Sequence, residues 1–470
     1  MRRRKADISE VPNFLLRTES QEKAQEEKLE SVAQGRLKVY DPAADNVKKF
    51  LELFGERINR QLATSMASCV HCGLCAESCY YALARPDDPT MTPVWKADQV
   101  RRIFKKHLDW AGRIFPWWVN AGAPADDAEL NRLKNIVFGT CSACRRCTLN
   151  CPMGVDTASL IRFARGLLTE LGIVPEGIFN VSRDQWETGN QMAVTEDDYL
   201  ETLQWMRKEL EEEVKASDIQ IPVERPDCEV LYVINPREIK FDPRSIAHAA
   251  TIFHFAGETW TLPKWGWDQT NFGLFSGDDH LGAYMAKRVY EAAVRLHSKR
   301  IVISECGHGY RSTRWEGYNW ANYHQKIPTE SVVQTLIRYI KDGRIKVDPS
   351  SNPEPVTFHD SCNIARSGGL IEEPRWLLKR VSADFREMHP NRTENYCCTG
   401  GGGLLSMAEY RPLRLEVGKI KVEQLKATGA RLVCTMCHNC VDGLADLIKH
   451  YKLNMRVVQI LELTANALMT

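Results

Sequence analysis

Apolar residues along the chain follow two different periods, and the change from one to the other falls near Pro222. Upstream the spacing is helical. Val47, Phe50, Leu51 and Phe54 mark one helix between Asn46 and Leu62, and Val100, Ile103, Phe104, Leu108 and Ala111 mark another between Lys96 and Arg113. Residues 181–225 are polar and acidic, with Glu209, Glu211, Glu212 and Glu213 in their second half, which predicts a solvated helical linker. Downstream, short apolar runs alternate with helical stretches. Glu229–Ile234 reads as a buried strand, and a helix carrying Met285, Val289, Ala292 and Leu296 leads into a second strand, Arg300–Ser304, before Cys306. The order recurs: Pro355–Phe358 runs into Cys362, a helix with Leu413, Val417 and Ile420 follows, and a strand over Ala430–Val433 ends at Cys434. Cys306 and Cys434 thus stand in equivalent places, which predicts an internal duplication and a fold class of α/β plus α-helical.

Composition narrows the function classes. At 470 residues, 43% apolar and 26% charged, the chain is an ordinary soluble protein of about three domains. Its 62 basic and 61 acidic residues leave a net charge of +1, so no basic field points to nucleic acid. No apolar run reaches the roughly 18 residues of a membrane span. The basic start Met1-Arg2-Arg3-Arg4-Lys5 runs into Ala6-Asp7-Ile8-Ser9-Glu10 instead of the apolar core of a signal peptide, so a cytoplasmic location is expected. Cysteine departs from this plain picture. Of 16 cysteines, all but Cys228 and Cys306 fall into four tight groups, a pattern of cluster ligation and not of disulfides.

Cys69, Cys72, Cys75 and Cys79 are spaced C-x2-C-x2-C-x3-C, and Cys141, Cys144, Cys147 and Cys151 repeat this with Pro152 behind. At this spacing three thiolates wrap one [4Fe-4S] cube while the fourth reaches the other cube. Cys69, Cys72, Cys75 and Cys151 are therefore expected around one cubane, and Cys141, Cys144, Cys147 and Cys79 around a second. Tyr80 stands where the motif carries a proline, which alters the local chain without removing a ligand. The segment between the motifs is rich in Lys96, Arg101, Arg102, Lys105, Lys106 and Arg113, with Trp95, Trp110, Trp117 and Trp118 around it; a basic amphipathic helix of this kind suits docking at a membrane.

The remaining cysteines form C-x34-CC-x35-C-x2-C from Cys362 through Cys397-Cys398 to Cys434 and Cys437, with Gly400 to Gly403 behind the pair. Gly400 and Gly401 are expected to let backbone amides approach a cluster. With His359-Asp360-Ser361 at its head, this spacing resembles the cysteine-rich CCG domain of heterodisulfide reductases. With the double ferredoxin module in front it resembles the fused, D-type form of the heterodisulfide reductase family, and its DsrK-type relatives in membrane redox complexes of sulfur-metabolising bacteria. The resemblance covers about residues 60–165 and 225–465.

Pattern and resemblance together give five expected domains: a helical extension at 1–60 and the linker at 181–225 from the pattern of residues, and between them a double [4Fe-4S] ferredoxin domain at 61–180 with a basic Trp-rich insert at 83–135. A degenerate CCG-type domain at 226–350 and a CCG domain at 351–470 complete the set. Cys362, Cys397, Cys398, Cys434 and Cys437 would hold a non-cubane [4Fe-4S] cluster beside the two cubanes, with Cys440 an extra packing thiol. The degenerate half has no cysteine near Gln269 and Thr270, and its Cys306 would face the cluster of the other half. The implied activity is a disulfide-reducing oxidoreductase within a complex, peripheral on the inner face of the membrane. Its partners would be an integral-membrane cytochrome b-type subunit, a periplasmic multihaem cytochrome reached through the complex, and a DsrC-like dithiol protein. A pure electron relay, and an iron–sulfur subunit of lactate- or glycolate-oxidase type, are the alternatives.

Overall fold

The computed structural model describes residues 37–214 and 218–469, so most of the 1–60 extension lies outside the described residues. Residues 46–67 are not a separate lead-in. The helices Asn46–Arg57 and Arg60–Ala67 bury Phe50, Phe54, Leu62 and Met66 in the amino-terminal core, where Phe54 meets Phe163 edge-on. The core is closed by the helices Pro93–Leu108 and Thr157–Glu170, each started by a side-chain cap, Thr92 and Asp156. No helix among the described residues is long and apolar enough to cross a membrane.

The predicted linker is a packed element. In the helix Glu196–Glu213, Tyr199, Leu203, Met206 and Leu210 recur at helical spacing and lie in the core of the first sheet domain, while the glutamates keep to the wet face.

Among the described residues two four-stranded sheets follow, both wholly parallel. The first comprises β1 (Val230–Val233), β2 (Trp260–Thr261), β3 (Arg300–Ile303) and β4 (Thr329–Ser331) in the order β2-β1-β3-β4. The second repeats that order with β5 (Val356–Phe358), β6 (Phe385–Arg386), β7 (Leu432–Thr435) and β8 (Arg456–Gln459), as β6-β5-β7-β8. The carboxyl ends of the two sheets face one another: His438 N donates to Glu305 O at 3.0 Å, and Ile460 N to Glu305 Oε1 at 2.7 Å. Loops leaving those ends are where open parallel sheets place their chemistry.

One side chain joins all three bodies. Arg165, buried on the helix Thr157–Glu170, donates to Val137 O (2.8 Å), Cys141 O (2.7 Å), Phe275 O (2.9 Å) and Gly402 O (2.8 Å). These carbonyls belong to the helical domain, the first sheet domain and the second. Burial pulls its guanidinium down to about 10. Arg165→Met is expected to strand four buried carbonyls and to lower unfolding free energy by roughly 2–5 kcal/mol, with Arg165→Lys intermediate. Denaturant unfolding of the anaerobically purified protein measures this.

Candidate metal centres

The two ferredoxin-type motifs adopt the same local backbone. His71 and Gly73 in the first loop, and Ala143 and Arg145 in the second, all have positive φ (55°, 81°, 51° and 64°). Left-handed residues at these alternating positions curl each loop so that thiols and amides point inward, the arrangement of an anion nest. Ala143 N lies 3.4 Å from Cys141 Sγ, and Val155 N 3.4 Å from Cys151 Sγ. Cys69, Cys72, Cys75 and Cys151 line one cavity, and Cys79, Cys141, Cys144 and Cys147 line a second. Each cavity thus takes three thiols from one motif and the fourth from the other. Cys72 is exposed to solvent.

The basic helix points much of its charge inward. Arg101 is buried with Nε donating to Met66 O (2.9 Å), Lys96 Nζ donates to Thr140 O (2.7 Å) and sits over the Tyr81 ring, and Lys105 Nζ holds Val119 O (3.0 Å). Lys96 and Arg101 therefore brace the loops of the two cavities and are not a docking face. Sequence periodicity could not separate the roles, because a cation that serves a carbonyl across a core has the same spacing as one in water.

A third group of thiols lies where the second sheet ends. Cys362 follows β5, Cys397 and Cys398 sit on the loop after residues 392–394, and Cys437 caps the helix His438–His450, which bears Cys440 in its first turn. Cys398 Sγ and Cys440 Sγ are 3.2 Å apart, and His359 joins them within ligand-to-ligand reach. Hydrogen bonds among the thiols, with Cys397 and Cys440 foremost, hold Cys398 well below the usual thiol range, and a bond from Cys440 does the same for Cys437. Burial pushes Cys362 up to about 12 against the pull of Arg366.

Cys434, expected as a ligand, does not join this group. It sits within β7, paired with Phe358 and Val458 in the sheet core, and the charges it feels most are those of Glu305 and Glu462. The strand runs two residues later than its apolar residues predicted, because a buried cysteine continues an apolar run as valine would. Cys440, expected to be a packing residue, lies instead against Cys398, three residues beyond Cys437. The repeat is displaced accordingly: Cys306 and Cys437 each cap the helix after the third strand of their sheet, and Gly309 stands where Cys440 stands in the other half.

Cys306 is buried, 3.4 Å from His308 Nδ1, and the charge it feels most is that of Cys437. A Cβ on Gly307 would lie 3.3 Å from Cys437 Sγ, so the two halves meet at this point. Gln269 and Thr270, at the position of the missing pair, are buried polar residues, with Gln269 donating to Ser304. Cys228 stands alone, its thiol spent on the Arg225 and Pro226 carbonyls. A Cβ on Gly401 would lie 3.5 Å from Cys397 Sγ, so the chain there runs beside the thiol group. Gly402 (φ 66°) has no room for a Cβ, which would stand 2.7 Å from Ser142 O, and one on Gly400 would stand 2.4 Å from Asn439 O; these glycines dock the cysteine loop onto the second cavity's loop and the following helix.

The third group and the second cavity are neighbours. Arg366 joins Cys144 O (2.8 Å) to Thr393 O and Asn395 O, and Arg146 joins Ser78 O (2.6 Å) to Glu394 O (2.8 Å). Tyr80 is buried between them and feels Cys397 and Cys144, with its hydroxyl turned toward Ser142. Lys421, not foreseen, is buried with Nζ on Asn395 Oδ1 (2.6 Å) and Gln424; burial pulls it down to about 7 while Cys398 and Cys397 oppose the fall. Donor sets dominated by thiols fit sulfur-rich iron clusters and not hard cations.

Comparison with known proteins agrees. Residues 65–155 match the 4Fe-4S dicluster domain and residues 356–444 the cysteine-rich CCG domain, which marks the chain as a protein of 4Fe-4S clusters. Over most of its length it is similar to chains of the heterodisulfide reductase type. It is 26% identical to the Hdr-like menaquinol oxidoreductase iron-sulfur subunit of Archaeoglobus profundus, over 90% of this chain and 82% of that one. It is also 26% identical to the D-type subunit of the dihydromethanophenazine:CoB--CoM heterodisulfide reductase of Methanosarcina mazei, over 85% and 93%. A match to the EtfAB:quinone oxidoreductase of Syntrophomonas wolfei, 23% identical, covers 81% of this chain and 55% of that protein.

Cys434→Ala is expected to leave iron content unchanged, whereas Cys440→Ser removes about four iron atoms per chain. Iron analysis of the two variants decides between the cysteines, and an equal loss from Cys434→Ala would restore it as a ligand.

Proposed function

We propose that the protein is the iron–sulfur electron-transfer subunit of a membrane redox complex, with a disulfide-reducing site between its two sheet domains. The observation that carries the reading is the contact of the third thiol group with the second cavity, through Arg366, Tyr80 and the Gly402–Ser142 approach. In this reading Cys69, Cys72, Cys75 and Cys151 hold one cubane, and Cys79, Cys141, Cys144 and Cys147 the other. Cys362, Cys397, Cys398, Cys437 and Cys440 hold a non-cubane [4Fe-4S] centre. The clusters supply one-electron redox chemistry. The chain supplies charge and protons around them: Lys421 and Arg366 offset thiolate charge, and His359 and His308 lie beside Cys398 and Cys306. The sheet domain lacking the cysteine pair is a degenerate copy of the CCG domain, supported by its identical strand order. Cys306 lies at the site from that copy, placed for its thiolate to attack the S–S bond of a disulfide, keeping the attacked sulfur as a mixed disulfide while the other sulfur leaves as a thiolate.

The partners are an integral-membrane cytochrome b-type subunit, a periplasmic multihaem cytochrome beyond it, and a cytoplasmic protein dithiol of the DsrC kind. The names of the relatives, a menaquinol oxidoreductase subunit and a heterodisulfide reductase subunit, support the membrane side and the sulfur side in turn. A pure relay is the second reading, favoured by the likeness to a quinone oxidoreductase whose name carries no sulfur chemistry.

Anaerobic analysis is expected to find about 12 Fe per chain. A protein disulfide added under oxidising conditions should perturb the EPR signal of the carboxy-terminal centre, and Cys398→Ser should lose that signal and disulfide reduction together while both cubanes persist. Iron near eight per chain removes the third centre. A spectrum indifferent to every thiol and disulfide leaves the relay.

A further inference from the structure

Residues 108–122 form the most exposed apolar feature among the described residues. Trp110, Trp117 and Trp118 are 68%, 77% and 71% exposed, with Ile114 and Phe115 beside them. The feature is rigid: Phe115 packs edge-on against Trp117 and Trp118, Ala121 N donates to Pro116 O (2.8 Å), and Lys105 Nζ holds Val119 O. Directly behind it, where Gly122 N donates to Arg102 O (3.1 Å), opens a cavity of about 180 Å³. Its walls are polar, with Arg102 from the helix Pro93–Leu108 and Arg132 from the helix Asp127–Lys134.

Neither guanidinium has an acceptor among the described residues. Arg102 Nε is buried without a hydrogen-bond partner, and Arg132 forms no ion pair there. The carboxylate in the wall, Glu129, is engaged by Ala125 N (3.0 Å). Gly122 keeps the space open, since a Cβ there would stand 2.9 Å from Arg102 Nη2. Two forked donors that share a cavity and lack an anion suit a phosphate. Exposed tryptophans with a basic site immediately behind them suit the interfacial layer of a bilayer, where indoles sit at headgroup level and cations meet anionic lipid.

We propose that this cavity binds the phosphate of an anionic phospholipid headgroup while Trp110, Trp117 and Trp118 enter the interfacial layer, so that the subunit touches lipid directly as well as its membrane partner. The inference rests on the membrane-complex reading above. It is tested with the full, cluster-loaded chain by sedimentation with vesicles of phosphatidylglycerol mixed into phosphatidylcholine, against phosphatidylcholine alone. Binding to the anionic vesicles is expected, weakened about tenfold or more in Arg102→Gln/Arg132→Gln. Trp117→Ala/Trp118→Ala should weaken it independently, with iron content unchanged in both variants. Equal binding to both vesicle types, or binding indifferent to the arginines, overturns the proposal. So does stabilisation of the vesicle-free protein by millimolar inorganic phosphate that is lost in the arginine variant, which would assign the cavity to a soluble anion. A chain that fractionates with its own cell membranes yet ignores vesicles sinks the lipid contact alone; one that does neither sinks the membrane-complex reading as well.

Discussion

A guanidinium buried among four carbonyls has no water to replace a lost partner, so Arg165 sets where its neighbours sit. Val137 and Cys141 fix it to the helical domain, Phe275 to the first sheet domain and Gly402 to the cysteine loop of the second. That geometry draws Gly402 against Ser142, and the approach is close enough that a methyl group would meet the Ser142 carbonyl. The distance between the second cavity and the third thiol group is thus an outcome of domain docking. Arg366 and Arg146 repeat the device at the edge, again with carbonyls as acceptors. Carbonyl acceptors suit this junction because they bring partial negative charge without the cost of a buried carboxylate next to anionic clusters.

The two sheets share a strand order but not a set of thiols. The first sheet domain also has a cysteine, Cys306, at the start of the helix after its third strand, and Gly309, Gln269 and Thr270 are buried nearby. Those residues are not idle. Gln269 bonds Ser304, which bonds Glu238, which lies 3.1 Å from His438 in the other half, so a buried polar net spans the seam.

Much of this is legible in the residues, and the departures have physical causes. The ferredoxin-type spacing carries its own geometry, since three thiols two residues apart wrap inward, and the motif pairing matches the two cavities. The third group is harder to delimit from its spacing. Cys434 continues the apolar run of β7 while Cys437 and Cys440 fall on a helix turn, and thiols as packing residues and thiols as ligands look alike without a strand boundary. In the helix Glu196–Glu213 a dense acidic face hides the buried stripe of Tyr199, Leu203, Met206 and Leu210 that governs where it packs. Lys96 and Arg101 look like surface charge because nothing local reveals that their acceptors, Thr140 O and Met66 O, lie tens of residues away.

The thiol groups differ in how far water reaches them. Cys72 is open to solvent, while Cys397, Cys398, Cys437 and Cys440 are buried beneath Tyr80 and the glycine loop. Dissolved oxygen and peroxide therefore reach Cys72 more readily than the buried thiols of the third group. Access of this kind makes Cys72 the thiol most open to oxidation from solution among the described residues.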